Sequence, residues 1–274
     1  MRQKTFLREA SLSGVGLFTG AEVSITLLPA APNSGLRFQR EELEIPALLT
    51  SLREAQRHTR LAVGQGSVQQ VEHLLSALYA YGIENATIRV QGPEIPIGDG
   101  SALPFIDLIE RAGVCQQEAG SYPLRVQEPI FWTSGDIHLV ALPSETFRIS
   151  YTAHHSKSTA FRTQYYSCQV TPDIYKAEIA PSRTFSFYEE LAPFLEKGLL
   201  RGATLESGLL IREDRVASPE GLRFPEELAR HKILDLIGDL SLLGRPLLAH
   251  VISIRSGHAS NAAFAALLQN VVSS

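Results

Sequence analysis

The sequence predicts an α+β protein of two related domains, each a mainly antiparallel sheet carrying a helix pair. Three observations predict it. Each half opens with short β-patterned segments broken by Gly, Pro and Asn, each half closes in the order helix, strand, helix, and a polar stretch without periodicity, "VCQQEAGSYP", separates the halves. The boundary falls in that stretch, giving domains of residues 1–118 and 119–274. Only the order of elements repeats, not the sequence, so the architecture alone argues for duplication.

The first half begins with strand segments "KTFLREASLS", "GLFTGAEVSITLLP" and "GLRFQR", spaced by turn residues. A helix follows at "VQQVEHLLSALYAYG", where Leu74, Leu75, Leu78 and Tyr79 form the apolar face and Gly82 supplies a stop. The strand "NATIRVQG", the loop "PEIPIGDGS" and the helix "LPFIDLIERAG" complete it. The second half reads as strands at "LRVQEPIFW", "IHLVAL", "FRISYTAHH" and "FRTQYYSCQV". It ends with the helix "PEELARHKILDLIGDLSLLG", the strand "LLAHVISIRSG" and the helix "SNAAFAALLQNVV". Residues 187–224 have no counterpart in the first half. They read as an inserted helix, turn, strand and hairpin, dense in aliphatic residues, which suits either satellite core or a wall for an apolar ligand.

A chain of 274 residues, 44% hydrophobic and 20% charged, is in the ordinary globular range. Its net charge of -4 argues against a general nucleic-acid binder. Cys115 and Cys168 are the two cysteines, too few for a disulfide scaffold or a cysteine zinc cluster, so any metal is held by His, Asp or Glu. With no signal-peptide core at the start and no long apolar run, the expectation is a soluble cytoplasmic protein.

Chemistry concentrates on two helices. In "RHKILDLIGDL", His231, Asp235 and Asp239 recur at steps of four, which places an imidazole and two carboxylates on one helix face. The bland alternative is a surface His/Asp pair contributing about 0.2 to 0.5 kcal/mol. Ile233, Leu234, Leu236, Ile237 and Leu240 leave this helix little room to face solvent, and buried carboxylates without a partner are expensive, which favours a metal or cation. His73, on the matching helix of the first half, would complete three protein ligands for a zinc ion. Glu72, beside it, would flank the metal as a base, although an isolated Glu-His pair is more often a surface feature. Lys232 is either solvated or placed beside the metal, where a developing oxyanion would benefit. His258, in "RSGHASN", stands at a helix N-terminus, within reach of Asp239 as a partner that would keep it cationic.

With these residues assembled, the chain resembles the zinc-dependent UDP-3-O-acyl-N-acetylglucosamine deacetylases of lipid A biosynthesis. The motifs "SGVGLFTG", "VEHLLSAL", "GPEIPIGDGSA", "SRTFSF", "GLRFPEELARHKILDLIGDLSLLG" and "SGHASN" occur in the family's order along nearly the whole length. The resemblance implies two domains with their helices packed between them and an active site at that junction. It implies His73, His231 and Asp235 as zinc ligands, Glu72 as general base, Thr184 and Lys232 as oxyanion stabilisers, and His258, oriented by Asp239, as the acid. It further implies that the insert forms a passage for a fatty-acyl chain, with Phe185, Leu17 and Leu200 contacting substrate and Arg255 near the UDP phosphates. The implied reaction is the committed deacetylation of the pathway, releasing acetate from a UDP-linked acylated sugar. The implied enzyme is a cytoplasmic monomer without a membrane span, making transient contact with the inner membrane surface.

Three positions depart from the family pattern. Phe18 replaces the histidine of the first glycine motif. "YTAHHS" at 151–156 stands where a nucleotide-contacting segment is expected, and Arg201 places a charge in "GLLRGA", where apolar residues are common. Competing readings are a zinc amidase for another acylated sugar and a non-catalytic UDP-sugar or lipid binder; the latter needs neither Glu72 nor His258. A phosphate-loop kinase is discarded, since "GVGLFTG" lacks the following Lys-Ser/Thr.

Overall fold

The computed structural model describes residues 1–55, 57–156 and 158–272. A five-stranded sheet and a six-stranded sheet, the latter counting the short Leu124–Arg125 strand that pairs in parallel with Leu247 and Leu248, form its frame. The first is built from β1 (Ala10–Val15), β2 (Glu22–Pro29), β3 (Leu36–Arg40), β4 (Leu43–Pro46) and β5 (Ala86–Gln91). The second is built from β6 (Ile130–Ser134), β7 (Ile137–Pro143), β8 (Arg148–His154), β9 (Thr163–Gln169) and β10 (Leu247–Ile254). Their spatial orders are β1-β2-β5-β3-β4 and β6-β7-β10-β8-β9. In each, the third and fifth strands along the chain pair in parallel while the other neighbours on these paths are antiparallel. One topology is thus used twice, which supports the duplication read from element order. Each sheet buries one face: in β2, Val23, Ile25 and Leu27 are buried while the residues between them remain partly open.

The helix pairs close the sheets. In the first half, α1 is Glu72–Ala80 and α2 is Leu103–Ala112. Gly82, at a φ of 71°, ends α1; its N–H and that of Ile83 donate to the carbonyls of Tyr79 and Leu78. The insert contributes α3 (Tyr188–Glu196), and the second half ends on α4 (Glu227–Leu240) and α5 (His258–Val272). All of α4 except Lys232 is buried, and all of α1 except Tyr79, because the two helices pack against each other between the sheets. One hydrophobic core runs continuously through both halves.

The contact of α1 with α4 is unusually close at one point. A Cβ placed on Gly238 would lie 2.2 Å from the carbonyl oxygen of Glu72, so only a residue without a side chain fits there. The insert makes a second close contact with the first half. The N–H groups of Arg201 and Gly202 donate to the carbonyls of Phe18 and Leu17 at 3.2 and 3.0 Å. A Cβ on Gly202 would fall 2.1 Å from the Gly16 carbonyl.

Three local expectations change. Residues 68 and 69 belong to a strand, Gly66–Gln69, paired with Arg60–Val63; Gln70 at a φ of 63° turns the chain before α1 starts. The polar segment read as a patternless connector is a strand, Val114–Gly120, paired with Arg2–Phe6. No residue of Val114–Gly120 is fully buried, so this strand carries no apolar alternation. The division at residue 118 therefore falls within a strand tied to the start of the chain. At the entry to the insert, Phe185–Phe187 pairs in parallel with Leu209–Arg212, which forms a hairpin with Arg215–Val216 around a small apolar cluster.

Gly238→Ala is expected to destabilise the protein by about 1–3 kcal/mol through overpacking, although alanine on an exposed helix would gain about 1 kcal/mol over glycine. Urea unfolding of the two forms checks this, and an unchanged or raised midpoint would show that the helices tolerate separation.

Candidate active site

Close backbone contact at Gly238 brings the N-terminal turn of α1 against the C-terminal half of α4. From α1 come Glu72 and His73, and from α4 come His231, Asp235 and Asp239, one helical turn apart. All five are nearly sealed from solvent. The ligand atoms of His73, His231 and Asp235 lie within 4.8 Å of one another. Asp235 Oδ1 is 3.4 Å from His231 Nε2 and 3.7 Å from His73 Nε2.

This donor set fits a zinc ion. Tetrahedral zinc with bonds of about 2.0–2.1 Å holds its ligand atoms roughly 3.4 Å apart, and two imidazoles with one carboxylate is a common three-ligand set. His231 Nδ1 donates to the Ser182 carbonyl at 3.1 Å, which fixes the tautomer and leaves the Nε2 lone pair for a metal. Burial, with His231 close by, lowers the His73 imidazole to about 3, so it too is neutral. Burial alone would raise the Asp235 carboxyl; Lys232 and the surrounding imidazoles outweigh it and hold it below the usual range.

Around this set the polar groups answer one another. Glu72 Oε2 accepts from the Thr59 N–H at 3.0 Å, and burial raises its carboxyl to about 7. His258 Nδ1 lies 2.8 Å from Asp239 Oδ2, with Nε2 4.0 Å from Glu72 Oε1. Burial opposes the charge on His258, yet Asp239 and Asp235 outweigh it and push the imidazole up to about 10. Asp239 also accepts from the Thr59 hydroxyl at 2.6 Å and the Asn261 amide at 2.9 Å. Lys232 Nζ donates to Asp235 Oδ2 at 2.9 Å and stands 5.3 Å from the Phe185 ring centre.

The loop that delivers Ser182 and Thr184 is held by a buried ion pair. Arg183 Nε donates to Glu227 Oε1 at 2.8 Å, and Glu227, at the start of α4, also accepts from the Arg183 and Arg223 N–H groups. The Thr184 N–H is committed to the Gly100 carbonyl at 2.7 Å, so its hydroxyl is the group left for a ligand.

A cavity of about 310 Å³ opens above these residues. Glu72, His73, Asp235, Lys232, Thr184 and His258 line one end. The insert and the first glycine loop line the other with Leu17, Phe18, Leu191, Phe194 and Leu200. Thus Phe185, Leu17 and Leu200 lie at the cavity. Arg255 does not: it pairs with Asp136 at 3.2 Å and borders a neighbouring cavity with His155 and Phe187. Thr59, Ser182, Arg183, Glu227 and Asn261 were not singled out from sequence. Ser182, Arg183, Glu227 and Asn261 fall inside the motifs given above, whereas Thr59 sits in a segment with no readable signal.

Fold and site together define a class of enzyme in which paired helices of two α+β repeats present a His/His/Asp set beside a buried carboxyl group and a cationic imidazole. The chain belongs to the UDP-3-O-acyl N-acetylglycosamine deacetylase family, whose model matches residues 3–270. It is 44% identical over 267 residues to the UDP-3-O-acyl-N-acetylglucosamine deacetylase of Chlamydia pneumoniae, covering 96% of this chain and 95% of that one. The enzyme of the same name from Chlamydia trachomatis serovar L2 is 45% identical over 264 residues, covering 95% and 92%.

Thr59→Val keeps the N–H on Glu72 and removes the hydroxyl on Asp239. Loss of a hydrogen bond to a buried carboxylate is expected to cost about 1.5–3 kcal/mol in denaturant unfolding; an unchanged midpoint would mean that Asp239 does not depend on it.

Proposed function

We propose that this protein hydrolyses the N-acetyl group of UDP-3-O-acyl-N-acetylglucosamine, releasing acetate in lipid A biosynthesis, with zinc as its metal. One observation carries the reading: the His/His/Asp set, Glu72 and His258 meet at the polar end of a cavity whose other end is apolar. A sugar amide and an acyl chain on one substrate need those two ends. The names of the relatives support the same substrate.

Held by His73, His231 and Asp235, zinc supplies Lewis-acid polarisation of a carbonyl and a lowered pKa for water. The remaining work belongs to the chain. Glu72, next to a ligand and facing the cavity, accepts the proton of the attacking water. The Thr184 hydroxyl and the Lys232 ammonium face the carbonyl oxygen as it gains charge. His258, kept protonated by Asp239, gives its Nε2 proton to the departing amine. Asn261 and Thr59 hold Asp239 in place for that role. Leu17, Leu191, Phe194 and Leu200 form the wall of an acyl passage, with Phe185 near its mouth.

Glu72→Ala is expected to lower turnover by roughly 10²- to 10⁴-fold with metal content retained, while His231→Ala loses the metal as well. Steady-state deacetylation with parallel metal analysis separates the two, and near-normal turnover of Glu72→Ala would remove Glu72 as the base. Omitting the 3-O-acyl chain from the substrate is expected to lower kcat/KM by at least about 100-fold, since each buried methylene contributes roughly 0.8 kcal/mol. Equal kcat/KM for the two substrates would mean that the apolar end is not an acyl passage.

A further inference from the structure

Outside the metal set, Glu94 is sealed completely from solvent. Its Oε2 accepts from the Phe18 N–H at 3.0 Å, and Oε1 accepts from the Thr19 N–H at 2.9 Å and the Thr19 hydroxyl at 2.6 Å. Burying a carboxylate is expensive unless donors replace its water, and one glycine loop supplies these three. The seat is tight: a Cβ on Gly16 would lie 2.2 Å from Oε1, so the carboxylate fits only against a residue without a side chain.

The loop held in this way walls the apolar end of the catalytic cavity. Leu17 and Phe18 line that end, and their carbonyls accept from the Gly202 and Arg201 N–H groups of the insert at 3.0 and 3.2 Å. Leu200 and Ala203, the neighbours of those two residues, line the same cavity. The loop thus gives its N–H groups to Glu94 and its carbonyls to the insert. Glu94 is also tied to the reacting end. Its backbone is bridged to Gln69, and the Ile95 N–H donates to the Gln69 carbonyl at 3.1 Å, three residues ahead of Glu72 and four ahead of His73. Pro96 is bridged to Gly16, and the Ile97 N–H donates to the Val15 carbonyl at 3.0 Å. Residues 94–97 therefore join the approach to α1 with the glycine loop, and the Glu94 side chain extends that link to Phe18 in the cavity wall.

We infer that Glu94 is a positioning residue for substrate selection: it fixes the acyl-chain wall at Leu17 and Phe18 relative to the reacting groups on α1, and it acts through that wall without lining the cavity itself. This rests on the deacetylase reading and the acyl passage above. A 3-O-acyl chain leaves the sugar at one atom, so its wall must stand at a set place relative to the scissile amide. A displaced wall loses contact with the chain, whereas the amide end, built on α1 and α4, keeps its groups.

Glu94→Gln tests it, because glutamine keeps the shape and puts an NH2 group where one of the two oxygens accepted. In steady-state kinetics of the metal-loaded enzyme, kcat/KM for UDP-3-O-acyl-N-acetylglucosamine is expected to fall about four- to fifteenfold, mostly through KM, at roughly fourfold for each methylene that loses its wall. For the same UDP-sugar without the acyl chain, kcat/KM should stay within about twofold, with metal content unchanged. Thr19→Val removes the hydroxyl donor and leaves both N–H groups on the carboxylate; it should act in the same direction by a smaller factor. Equal losses on the two substrates, or no loss on either, would overturn the assignment. Should Glu94→Gln not fold, Thr19→Val decides alone: an unchanged ratio of kcat/KM between the two substrates overturns it. Absence of deacetylation by the unaltered protein, or equal kcat/KM for its two substrates, would overturn the underlying reading and the assignment with it.

Discussion

The structure depends on the approach of α1 to α4 at Gly238. There the two helix backbones come together with no side chain between them. His73 on one helix, and His231 and Asp235 at least 158 positions further along on the other, then bring together side chains that could hold one metal ion. A larger residue at 238 would separate the helices and pull one imidazole away from the other two ligand atoms. The sheets of the two halves repeat one topology.

That closeness has an electrostatic consequence. Three carboxylates, Glu72, Asp235 and Asp239, are buried within a few ångströms of each other, an arrangement that repels itself unless cations are supplied. Lys232 and His258 supply them, each bonded to its own aspartate. Glu72 is the carboxylate without a bonded cation, and burial accordingly raises its pKa. The division of roles among similar side chains thus follows from which partner each one meets. The Arg183–Glu227 pair extends the same logic outward, fixing the loop whose Ser182 carbonyl orients His231.

Much of this was legible in the sequence because helical periodicity is a local property. The step-of-four stripe at 231, 235 and 239 placed three groups on one face, and the apolar residues around it showed that the face was buried. The helix, strand, helix ending of each half likewise disclosed the repeated fold. What was not legible lies in contacts between distant segments. Thr59 reaches Glu72 and Asp239 from the loop just before the strand Arg60–Val63, in a short three-stranded sheet whose strands are too brief to show a pattern. The strand at 114–120 reads as a connector because none of its own residues is fully buried. Gly238 was visible as a glycine inside a helix, a position that usually signals a packing requirement, but the partner it accommodates could only be seen in three dimensions. Arg255 borders a neighbouring cavity and pairs with Asp136.

The central claim is that two helices from two repeats assemble one metal-dependent hydrolytic site. Metal content of the purified protein, measured together with deacetylation of UDP-3-O-acyl-N-acetylglucosamine before chelation, after it and after zinc is restored, tests this most directly. The account predicts one zinc per chain, activity lost with the metal, and activity recovered on its return. Full activity in a metal-free protein would contradict it.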